Sequence, residues 1–185
     1  MEQAHHNSIL AHPTMLPGEG DTTVELSTVT TCLSEIEALV KSTWQSNIRF
    51  DLQASQDMPV VPCSRMELQG ALMNLLINAR DAMPGGGAIS LAAAAIYKAQ
   101  TVTGIEIRVA DNGFGMTDDT LLHATDPFFT TKTTGLGGLG LPMVMRFAQE
   151  AGGRMHIESE PGRGTIVTLR LSIPGSNARR NPARR

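Results

Sequence analysis

"LMNLLINARDAM", residues 72–83, sets two carboxamides into an otherwise apolar run. Asn74 and Asn78 are four positions apart, so a helix would carry them on one face, one turn apart. Leu68, Ala71, Leu72, Leu75, Leu76 and Ala79 recur at helical spacing through the same segment and form its buried stripe. Asparagine is a poor helix former, and burying its amide without a partner costs free energy. The pair therefore faces either solvent, as ordinary helix-surface residues, or a ligand. Ahead of it, Pro59 and Pro62 break the chain, and Ser64 with Glu67 reads as a capping box opening the helix. "PGGG", 84–87, closes it.

Around that helix the spacing predicts a helix over 24–44, a short strand over 47–53, and two antiparallel strands in "AISLAAAAIY" and "GIEIRVADNG". Residues 116–137 are polar and rich in Thr and Gly, too long for an ordinary connection and of the kind that often forms a lid. A helix over 139–151 and two closing strands, "RMHIESE" and "GTIVTLRLSI", complete the order. Helices on one face of a mostly antiparallel sheet follow, an α/β (α+β) two-layer sandwich. Three stretches divide the chain: an arm or linker over 1–23, one domain over 24–173 and a basic tail over 174–185.

With 185 residues and 41% hydrophobic content the chain can bury a core as a single domain. A net charge of −3, one Trp and one Tyr argue against a nucleic-acid binder, and "ARRNPARR" at the end reads as a solvated tail. Cys32 and Cys63 fit no metal or redox spacing, which makes a reduced, cytoplasmic chain the expectation. No apolar run is long enough for a membrane span, and the first residues lack a signal peptide's pattern.

Four clusters could hold chemistry. The carboxamide oxygens of Asn74 and Asn78 suit Mg²⁺, which takes few protein ligands beside phosphate oxygens and water; Asn78 is the better candidate. "DNGFGM", 111–116, ends a strand in Asp111, an acceptor suited to an exocyclic amine, with Gly113 and Gly115 leaving room for a flat ligand. The same letters also spell a plain Asn-Gly turn. "DPFFTTK", 126–132, puts two Phe in a polar loop and offers Lys132 to a phosphate, or merely plugs the loop. "GLGGLGL", 135–141, runs into a helix and exposes amides to an anion, or serves as a hinge. Together they describe a metal ligand, an amine acceptor, a lid cation and a phosphate cradle.

In this order the four motifs resemble the N, G1, F and G2 boxes of the catalytic ATP-binding domain of sensor histidine kinases, and "ESEPGRGTIVTLRL" resembles its closing segment. That domain belongs to the superfamily shared with DNA gyrase, the heat-shock chaperone ATPases and MutL; the "PFFTTK" form resembles nitrogen-regulation and oxygen-sensing kinases. The resemblance implies the Bergerat sandwich with a flexible ATP lid, and ATP with Mg²⁺ as cofactors. It implies that Asp111 accepts the adenine amine with Thr165 in support, that Gly113 and Gly115 admit the purine, and that Asn78 holds the metal. Asn74 would sit beside the phosphates, with Lys132 and the amides of Gly137, Gly138, Leu139, Gly140 and Leu141 on the triphosphate. Asp81, Met116, Thr131 and Gly135 complete the implied ATP contacts, Asp81 replacing the basic residue common in histidine kinases.

The superfamily's ATPases carry a glutamate where Asn74 stands, and a carboxamide cannot act as that general base. Asn74 and Lys132 are the residues to which the resemblance gives catalysis. None of the five histidines fits a phosphoacceptor: His5, His6 and His12 lie in the broken arm, His123 in the lid and His156 in a strand. The implied partners are a phosphoacceptor-histidine helical hairpin and, downstream, a response regulator, with this domain monomeric alone. An anti-sigma-type serine kinase, a non-enzymatic nucleotide sensor and a gyrase-like ATPase are the rival readings of the same fold.

Overall fold

A computed structural model describes residues 26–44, 47–55, 58–131 and 138–173. The asparagine helix, α2 (Arg65–Asp81), buries Leu68, Ala71, Leu72, Leu75, Leu76 and Ala79, the stripe expected of it. It packs between α1 (Val29–Thr43) and α4 (Gly140–Glu150), which contribute Leu33, Ile36 and Val40, and Val144, Phe147 and Ala148. Beneath them lies a five-stranded sheet of β2 (Ile48–Ala54), β4 (Gly87–Lys98), β5 (Thr101–Asp111), β7 (Gly164–Ser172) and β6 (Arg154–Glu160), in that spatial order. β2 and β4 run parallel and every other pair antiparallel.

Strand periodicity decides which face is covered. Ile89, Leu91 and Ala93 of β4, Ile105, Ile107 and Val109 of β5, and Val167, Leu169 and Leu171 of β7 all point at the helices and are buried. Their alternate neighbours, such as Ala94, Arg108 and Arg170, are exposed. The layers are those expected: helices on one face, a mixed and mostly antiparallel sheet on the other.

Three local readings are corrected. The first helix begins at Val29, because residues Leu26–Thr28 form β1, paired antiparallel with β3 (Val60–Ser64). Pro59 and Pro62 therefore do not simply interrupt the chain. Pro62 sits exposed within β3, between buried Val61 and Cys63, and a two-stranded ribbon tolerates the missing N–H. The segment after β5 also holds a helix, α3 (Asp118–His123), capped where Thr117 Oγ1 accepts from the Thr120 amide at 3.2 Å. The Glu67 half of the expected capping box forms, the Ser64 amide donating to Glu67 Oε2 at 3.3 Å.

Both cysteines are free and buried, Cys32 in α1 and Cys63 in β3. Burial pushes each thiol up to about 11.

Candidate functional site

Between α2, the C-terminal end of β5 and the start of α4 lies a cleft of about 660 Å³. Asn74, Asn78 and Asp81 line one wall, and Asp111 and Thr165 line another. Val109, Val167, Leu75 and Ala79 supply its apolar surfaces. The two carboxamides thus line a cavity rather than lying on an open helix surface.

Asp111 stands at the last position of the central strand, in register with Thr165 of β7. Gly113 N–H donates to its Oδ1 at 2.8 Å and Thr165 N–H to the same oxygen at 3.3 Å. Burial raises the carboxyl above its ordinary value, and these two amides pull against that rise. Because both bonds converge on one oxygen, neither occupies Oδ2.

The glycines of the Asp111 loop are required by protein contacts. Gly113 is buried against Ala82, and a Cβ there would come within 2.6 Å of the Ala82 carbonyl. Gly115 has φ +67°, and a Cβ would run into the Glu160 carbonyl. Gly115 and Met116 line the cleft, while Gly113 lies beneath its lining.

At the other end, Gly140 opens α4 beside Asn78, and a Cβ on it would stand 3.2 Å from Asn78 Nδ2. Gly138, Gly140, Leu141 and Thr131 line the cleft; Leu139 is outside the lining. Lys132, Gly135 and Gly137 lie outside the described residues. Of the two phenylalanines, Phe129 lines the cleft with its ring 5.5 Å from that of His123. Phe128 does not pack as expected: it is 76% exposed at φ 67°, its amide tied to the Gly138 carbonyl at 2.9 Å.

Two organising residues escaped the sequence reading. Ser159 accepts from the Met116 amide at 2.9 Å, donates to the Gly164 carbonyl at 3.0 Å and meets Thr165 Oγ1 at 2.9 Å. It fastens the Asp111 loop to the β6–β7 hairpin. Asn112 Oδ1 accepts from the Ala88 amide at 2.7 Å, anchoring the same loop to β4. A serine in "HIESE" carries no pattern of its own; the turn reading of "DNG" was the only signal for Asn112.

His123 pairs with Asp126, Nδ1 to Oδ2 at 2.8 Å, and His156 stands exposed on β6. Neither occupies a helical hairpin. Among the described residues no group of three or more His, Cys, Asp or Glu could hold a metal ion, and no helix is long and apolar enough to cross a membrane.

A family profile described as "Histidine kinase-, DNA gyrase B-, and HSP90-like ATPase" matches residues 63–175. Sporulation kinase E of Bacillus subtilis (strain 168) is 35% identical over 137 residues, covering 74% of this chain and 18% of that protein. Sensor kinase CckA of Brucella abortus (strain 2308) is 32% identical over 161 residues, 81% of this chain and 17% of that protein. The chain thus spans under a fifth of the length of either relative. Among solved structures, the nucleotide-free catalytic domain of histidine kinase ThkA superposes with a TM-score of 0.67 at 23% identity, covering 78% of this chain and 94% of that one.

Proposed function

Since the chain belongs to the family of histidine kinase-, DNA gyrase B- and HSP90-like ATPases, we propose that it is the ATP-binding catalytic domain of a two-component sensor histidine kinase. It delivers the γ-phosphoryl group of ATP to a histidine outside this chain. The observation that carries this reading is the shared cleft, lined by a carboxylate, Asp111, and by two carboxamides, Asn74 and Asn78.

The adenine amine donates to Asp111, the purine lies against Val109 and Val167, and the triphosphate runs along α2 towards the start of α4. Amides at the N-terminus of α4 and the helix dipole favour the phosphate oxygens. The donor set fits Mg²⁺: the neutral carboxamide oxygens that line the cleft suit an ion that takes its remaining ligands from phosphate and water. Asn78 would hold it, with Asn74 beside it, and when bound it neutralises phosphate charge. Lys132 and Thr131 would add lid contacts to the triphosphate. Phosphoryl transfer here rests on positioning and charge neutralisation. The partner's imidazole nitrogen bonds to the γ-phosphorus as the bond to the ADP oxygen breaks. Asn74 cannot take a proton from water, which spares ATP from hydrolysis.

Isothermal titration of the chain with AMPPNP tests the reading. Binding that strengthens with Mg²⁺ and is lost in Asp111→Ala is expected; undiminished affinity in that variant removes the adenine assignment. Radiolabelled ATP with a phosphoacceptor hairpin in trans should yield an acid-labile phosphohistidine. An acid-stable phosphoserine would point to the anti-sigma-type activity instead.

A further inference from the structure

Asp81 is unaccounted for by the phosphate contacts: a carboxylate repels phosphate oxygens. Its place along α2 identifies a better partner. Residue 82, one further on, has its carbonyl bonded to the Phe114 amide at 3.1 Å and packs against Gly113, which puts the end of α2 against the Asp111 loop. Asn78, one turn back, abuts Gly140 at the start of α4. Asp81 lines the cleft between these two ends.

On the nucleotide reading above, which this inference presupposes, the stretch between base and phosphates is the sugar. A ribose presents two neighbouring hydroxyl donors, and an ionised carboxylate is acceptor-only with room for several bonds.

The carboxylate is also held from behind. Arg80 Nη2 and Nε donate to Asp81 Oδ1 at 3.0 and 3.3 Å. Adjacent helical residues diverge by about 100° and do not ordinarily face each other. Arg80 reaches Asp81 by folding back, and its guanidinium carbon lies 5.6 Å from the centroid of the Trp44 ring, just beyond the end of α1. An exposed ion pair of this kind adds little stability; what it supplies is orientation.

We propose that Asp81 accepts hydrogen bonds from the ribose hydroxyls and so selects ribonucleotides, with Arg80, seated on Trp44, as its positioning residue. The test compares Mg-ADP with Mg-2′-deoxy-ADP by isothermal titration. A hydrogen bond to a charged group is worth enough to favour ADP about tenfold or more in the native chain. Asp81→Ala, shown to be folded by its thermal melt, brings that ratio close to one. Arg80→Ala and Trp44→Ala, which leave the cleft lining intact, lower it part of the way, and Trp44→Phe restores it by keeping a ring under the guanidinium. Trp44 is the single tryptophan, so its emission should respond more to ADP than to the deoxy form. Equal affinity of the native chain for both sugars, or an unchanged ratio in Asp81→Ala, overturns the proposal while leaving the nucleotide site standing. Failure of the folded native chain to bind either nucleotide overturns that reading as well.

Discussion

Asp111 is a residue whose proposed service to a nucleotide comes at the expense of the fold. Its carboxyl is raised by burial against the pull of two amides. A carboxyl raised in the folded state binds protons more readily there than in the unfolded chain, so its contribution to stability falls as pH rises through the folded value. Asp111→Asn retains an acceptor for Gly113 and Thr165 but carries no charge. We expect the variant to melt higher than the native chain at pH 7, with the gain vanishing as pH falls towards the ordinary 3.8. Nucleotide affinity should drop at the same time, because an amide rotated to accept from the protein offers its donor side to the adenine amine. Gly115→Ala is the opposite case. Forced to φ +67° against the Glu160 carbonyl, it should lose about 2–4 kcal/mol in urea unfolding. Asp111 and the two asparagines stood out in the sequence because a carboxylate ends an apolar strand and two carboxamides interrupt an apolar helical run. Ser159 did not: its value lies in joining two neighbours across the β6–β7 turn to Met116, which is far from it in the chain.

Among the elements, the long helices and the central strands β4, β5 and β7 were readable because each buries an apolar stripe at its own period, whereas the edge strands β2 and β6 only half-bury theirs. The short ones were not. β3 contains Pro62, which a sequence reading takes for a breaker, and only its pairing with β1 makes it a strand. α3 spans six residues and buries none of them, so no apolar period announces it. What nucleates it is Thr117 followed by Asp118 and Asp119, an N-cap with two acids in the first turn. Thr117→Ala should release about 1 kcal/mol locally, visible as faster amide exchange at Thr120 with little change in global melting. Ser159→Ala belongs to this scale too, since it removes one of the ties between the Asp111 loop and the β6–β7 hairpin. A loss of about 1–2 kcal/mol in urea unfolding is expected, with weaker AMPPNP binding; unaltered binding would show that the loop holds its shape unaided.

For the molecule as a whole, the cleft draws on α2, β5, β7, the segment after β5 and α4 together, so a nucleotide held there as proposed would bridge both layers. Mg-AMPPNP at about a hundred times its dissociation constant should stabilise the fold by about 2.7 kcal/mol. A domain of this size should then melt roughly 5–10 °C higher, and Asp111→Ala should erase the shift. One feature of the interior offers a second gauge of the same equilibrium. Cys32 and Cys63 are sealed in the core and hold their protons far above neutrality, so an alkylating reagent finds no thiolate until the domain opens. Iodoacetamide labelling followed by mass spectrometry becomes a stopwatch for that opening. Native protein should count out its two modifications slowly, and saturating nucleotide should make the clock run slower still.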